Sequence, residues 1–138
     1  MCHLVDIRTS KLSPDDVIVA YKQFRITSKP VLSNDEARAF LESQAEKSLY
    51  PQYIDNQPAY PINELITAKH DFEDEDLHRT NGCSYIPGFH AYCHSGYGSK
   101  SFDVVERKVE LRKVRLIGDD LDSNTTVFVA DEMRILPE

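Results

Sequence analysis

Tryptophan is absent from this 138-residue chain, and cysteine, methionine and glycine are sparse, at 3, 2 and 5 residues. Each shortage excludes something. Cys2, Cys83 and Cys93 are too few and too scattered for a disulfide framework, so they read as free thiols in a reducing compartment. Glycine is too rare for a nucleotide-binding loop: no GxGxxG or GxxxxGK[ST] pattern occurs, nor does GxSxG or HExxH. Gly96, Gly98 and Lys100 imitate a phosphate loop only loosely and read as a hairpin tip. No apolar run approaches the roughly 20 residues that span a bilayer. The first residues, from Met1 and Cys2 onward, lack the basic segment and apolar stretch of a secretory signal. The expectation is therefore a cytoplasmic protein with no membrane partner.

Positive charge is also short. Lys and Arg number 16 against 23 Asp and Glu, for a net charge of −7. That disfavours a long nucleic acid, whose recognition rests on a basic face that displaces counterions. A small anionic ligand is still allowed, because a local pocket can be basic inside an acidic protein.

What is present is ordinary for a globular domain: 41% hydrophobic and 28% charged residues, with 7 Tyr and 6 Phe for aromatic bulk. The length favours one domain over 1–138, large enough for its own core. Residues 17–26 alternate as a strand. Val17, Val19 and Tyr21 point one way, and Ile18, Ala20, Phe24 and Ile26 the other, which predicts a strand buried on both faces. A short strand at 4–8 precedes it, across a turn at Ser13, Pro14, Asp15 and Asp16. Ser33 and Glu36 form a capping box that opens a helix, with Ala37, Phe40, Leu41 and Gln44 on one face. Pro51, Pro58 and Pro61 exclude a helix over 50–61. A short strand is expected within 62–68 and an acidic surface loop at 71–76. Residues 84–94 read as a β segment interrupted by a turn at Pro87 and Gly88. Residues 102–106 fit a short helix or the start of a strand. Val109 and Leu111 alternate in one phase and Val114 and Leu116 in the other, so one strand with a bulge near Arg112 and Lys113 is expected. A turn at 119–124, a strand at 126–130 and a closing segment at 133–136 complete the chain. The fold class is α+β: a mainly antiparallel β-sheet or small barrel with one principal α-helix at about 34–48.

Three groups of residues bear on chemistry. Cys83, His90, Cys93 and His94, with His78 upstream, are zinc-ligand types, but no CxxC spacing joins them, and on a strand His90 and His94 share a face while Cys93 points away, so no metal is assigned and no cofactor is expected. Cys2 would become an N-terminal nucleophile after loss of Met1, with its own α-amine as base. Basic residues concentrate at Arg107, Lys108, Arg112, Lys113 and Arg115, with Lys22 and Arg25 on the first long strand and Arg134 on the last. Were these strands neighbours, arginines would clamp phosphate and aromatics would stack on a base. The plainer reading is strand-edge Lys and Arg that block aggregation.

The blocks Met1-Cys2, 19–25, 87–92 and 129–136 together resemble small proteins encoded by phages and prophages, with the segment from about 30 to 80 unmatched. Such proteins include anti-defence sponges, which bind cyclic nucleotide or cyclic ADP-ribose immune signals without cleaving them, as symmetric oligomers. The resemblance implies a non-enzymatic homo-oligomer in the bacterial cytoplasm whose partner is a small anionic, nucleotide-like ligand. Residue chemistry nominates Tyr21, Arg25, Phe89, His90, Tyr92, Arg112 and Arg134 as its contacts, with no catalytic residue. The alternatives are a protein–protein inhibitor of a host factor and a small hydrolase using Cys2 or a His90-centred site.

Overall fold

The computed structural model describes residues 3–27, 48–51, 57–68, 78–80, 85–97, 104–121 and 123–137, with isolated positions at 35 and 39. In chain order its strands are β1 (His3–Thr9), β2 (Ile18–Arg25), β3 (Leu65–Thr67), β4 (His78–Thr80), β5 (Tyr85–Ile86), β6 (Phe89–Tyr92), β7 (Val104–Asp120) and β8 (Thr126–Ile135). Six of them, in the order β3-β8-β6-β2-β7-β1, form a mainly antiparallel sheet, with β4 and β5 continuing from β1. The sheet curls into a near-closed ring because β8, already paired with β6, also pairs with β7. The seam is narrow: β2 meets β6 through the Tyr21–Tyr92 pair. The β1–β4 pairing is parallel.

Alternation explains the inner face. Ala20 and Phe24 of β2 are fully buried, Ile26 nearly so, and Lys22 shares their parity. The opposite face of β2 departs from the expected burial, since Val17 and Val19 are 46% and 49% exposed. Apolar residues on two faces say nothing about whether a second layer covers both.

The β7–β8 hairpin changes which of its faces is buried partway along. In β7 the buried residues are Val109 and Leu111, then Val114, so the phase flips across Arg112 and Lys113, both exposed. Lys113 has φ of 53°, and the ladder to β8 slips between Val114 and Leu116. The expected bulge is present, with its slip beginning just beyond Lys113. Beyond this corner the hairpin separates two cores. One holds Ala20, Phe24, Phe89, Val109, Met133 and Ile135 inside the ring. The other holds Leu4, Ile86, Tyr92, Val127 and Val129.

Other local expectations have direct counterparts. In the 13–16 turn the Asp16 amide donates to the Ser13 carbonyl and the Ser13 amide to the Asp16 carboxylate. Gly88 takes φ of 130° at the break between β5 and β6, a conformation that L side chains avoid. Residues 104–106 belong to a strand, and 126–135 are one strand where two pieces were expected. The helix expected at 34–48 lies outside the described residues save Asp35 and Ala39, which have helical conformation. The acidic loop at 71–76 lies wholly outside them.

Candidate functional site

Buried polar side chains gather at the turn at 86–90. Three donors from different strands end on its carbonyl oxygens. Lys22 Nζ donates to the His90 carbonyl at 3.0 Å. His90 Nε2 donates to the Ile86 carbonyl at 2.8 Å. Arg115 Nη2 donates to the Pro87 carbonyl, while its Nε donates to Asp131 Oδ1 at 2.7 Å. Gly88 lets the guanidinium approach: a Cβ there would sit 2.8 Å from Arg115 Nη2 and 3.0 Å from Val129.

Lys22 and His90 are both buried, at 3% and 4% exposure. Burial among Ala20, Phe24 and the rest of the ring disfavours the charged amine, and desolvation lowers its pKa from 10.5 to about 7. The Phe24 ring, centred 5.8 Å from Lys22 Nζ, offers a weak cation–π contact.

Phe89, the residue between Gly88 and His90, forms part of a groove of about 310 Å³ lined by Pro58, Ala59, Tyr60, Pro61, Ile66, Thr67 and Phe89. Tyr60 stands edge-on to Phe24 (centroids 5.6 Å, 77°) and to Phe89 (6.5 Å, 74°). Among the described residues no charged side chain lines the groove. Its chemistry suits a neutral planar ring and is hostile to a bare phosphate, whose desolvation would go uncompensated.

Among the described residues the seven nominated positions fall in several settings. Phe89 faces the ring interior and the groove. Tyr92 belongs to the second core, its hydroxyl directed at Asp120 Oδ2 at 3.4 Å, and His90 is buried beside it on β6. Tyr21 is opposite Tyr92 at the seam. Arg25 is 4% exposed, its Nε donating to the Pro51 carbonyl. Arg134 donates through Nε and Nη2 to Glu110 Oε2, at 3.0 and 2.6 Å, and through Nη1 to Asn63. Arg112 is exposed and in register with Glu132, which Lys113 approaches to 3.7 Å. Arg112 and Arg134 are thus diagonal neighbours on the outer wall.

Lys22, Tyr60 and Arg115 of this region were not nominated. Tyr60 was legible only as part of a proline-rich stretch. Lys22 had a usable signal, because it shares the parity of Ala20, Phe24 and Ile26.

Of the other candidates, Cys2 and Cys83 lie outside the described residues, and so does the His78 side chain. Among the described residues no group of three or more His, Cys, Asp or Glu is arranged to hold a metal ion. No helix among them is long and apolar enough to cross a membrane. Comparisons with protein-family models, with curated proteins and with solved structures find no match to this chain.

Proposed function

We propose that this chain is a non-catalytic, phage-encoded binding protein that sequesters a nucleotide-derived immune signal, of cyclic nucleotide or cyclic ADP-ribose type, in the host cytoplasm. The observation that carries the reading is the Tyr60–Phe89 groove. Its volume is at the lower end for small-molecule sites, and its walls are aromatic and proline, suited to stacking a base. Charge lies beside it, outside the lining. Thr67 on β3 is in register with Glu132 on β8, which is in register with Arg112 on β7. Two strand spacings put Arg112 roughly 10 Å from Thr67. A ligand with its base in the groove would present phosphate toward Arg112 and Lys113. The helix expected at 34–48 would then serve as scaffold or as contact between subunits of a homo-oligomer.

The test is incubation with a panel of cyclic nucleotides and cyclic ADP-ribose isomers, followed by denaturation and identification of what is released. Intact ligand is expected. A cleaved product would make the protein an enzyme, and retention of nothing would end the reading. Tyr60→Leu keeps apolar bulk and removes the π-face, so affinity should fall about tenfold, in line with the ~1–3 kcal/mol of a base–aromatic stack.

Exposed Val17 and Val19 favour a second reading, an inhibitor that docks on a host protein. It predicts that Val19→Lys abolishes biological activity while ligand release is unchanged.

A further inference from the structure

We propose that Lys22, with His90 and Arg115, positions Phe89 in the groove wall as a pH-responsive latch, holding the 86–90 turn closed in alkaline solution and loosening it toward neutrality. The consequence for ligand binding rests on the groove being the ligand site; the latch itself does not.

The geometry is the first support. Three of the carbonyl oxygens in this turn, those of Ile86, Pro87 and His90, each accept from a side chain. Two donors come from outside the turn, Arg115 on β7 and Lys22 on β2, while His90 closes the turn on itself, and Phe89 is carried by the same stretch of backbone. Gly88 adds a positive φ that the turn must maintain. The seam is the second support. β6 joins β2 through one residue pair, so β6 can separate from β2 without opening the β7–β8 hairpin.

The third support is chemical. Among the described residues, the ionisable groups beside Lys22 include His90 from β6 and Arg107, its register partner on β7, whose Nη2 donates to the Leu136 carbonyl. Arg115 from β7 and Asp131 from β8 are further ionisable groups at the turn among the described residues. The inward residues of the ring beside it, Ala20, Phe24, Val109, Leu111, Met133 and Ile135, are apolar. The amine is mostly neutral in the closed turn above pH 7, and an opened turn would return it to water and to its ordinary basicity. Opening therefore takes up a proton between pH 7 and 10.5. Below pH 7 both forms carry it and the dependence stops.

Hydrogen exchange on the free protein tests this without any ligand. After correction for intrinsic rates, the opening constant of the β6 amides should fall about tenfold per unit as pH rises from 7 to 9. The slope should vanish in Lys22→Met. The Val109 and Leu111 amides should open far more rarely than those of β6. Equal opening constants and slopes at both places would mean global unfolding and would overturn the latch, as would a flat profile at β6. Should Lys22→Met fail to fold, NMR titration of the Lys22 ε-methylene in the unmodified protein decides. A midpoint near 7 that coincides with shifts at Phe89 is expected, and an ordinary lysine midpoint overturns the proposal. Binding of the panel nucleotides is a separate measurement, so loss of one reading leaves the other standing.

Discussion

Basic side chains occur in two settings in this protein, and the two differ in what satisfies them. On the outer wall of the β7–β8 hairpin, Arg134 meets Glu110, Lys113 meets Glu132, and Arg112 lies opposite Glu132. These cations keep water and carboxylates together. Within the ring, Lys22 and the 86–90 turn exchange water for carbonyl oxygens and an aromatic face. Outside, the cation costs little and contributes little. Inside, the same class of residue gives up solvation, and its protonation becomes coupled to the fold. A crowd of Lys and Arg along one strand is thus no measure of a basic site, because the strand alongside can cancel it.

The largest expected effect breaks the comparison at its inner half. The Lys22 pKa is about 7 in the folded protein against 10.5 for an ordinary lysine. Between those values the unfolded chain binds more protons at Lys22, so the contribution of this group to stability rises with pH across 7–10.5 and is flat, at its lowest, below 7. The full difference is about 5 kcal/mol at 1.36 kcal/mol per unit. Lys22→Met should remove this slope and raise stability at pH 7 by several kcal/mol, a gain that disappears toward pH 10.5. Chemical denaturation at pH 7 and pH 9.5 measures it. A gain independent of pH would show that packing, and not charge, governs the site.

A smaller effect is expected at Gly88. A Cβ there meets Arg115 and Val129, at a φ of 130° that disfavours any side chain. Gly88→Ala should cost about 1–3 kcal/mol from backbone strain alone. It should also weaken the Arg115 contact to Pro87, so exchange at the β6 amides should rise more than exchange at Val109. Uniform acceleration would place the damage in the whole ring.

These differences were unevenly legible in the sequence. The corner in β7 could be read because alternation is local: Val109 and Leu111 in one phase, Val114 and Leu116 in the other. The break at Pro87 and Gly88 could be read because those residues restrict their own backbone. Lys22 could have been placed in the ring from its parity with Ala20 and Phe24. Pairing over long separations could not be read. Nothing near Arg134 in sequence announces Glu110 as its partner, and nothing in β4, three residues long, signals a parallel bridge to β1. The same limit explains Val17 and Val19, whose apolar character specifies a strand face but not what covers it. It also bears on the nominated contacts: strand order, which decides whether Arg25, Phe89 and Arg112 converge, is a global property.

The outer wall supplies the smallest effect and the sharpest check. Arg134 places both Nε and Nη2 on one carboxylate oxygen of Glu110, a tighter geometry than most surface pairs have. Both side chains nevertheless keep solvent contact, at 35% and 19% exposure. Water then screens the pair, and a double-mutant cycle with Arg134→Ala and Glu110→Ala should give a coupling of about 0.5–1 kcal/mol. High salt should reduce it further, since exposed pairs are screened over about a Debye length. A coupling above about 2 kcal/mol, insensitive to salt, would put this pair in the same regime as a desolvated interior contact. The outer wall would then share the energetic character of the ring interior, and a cationic surface open to phosphate at Arg112 would lose its physical basis.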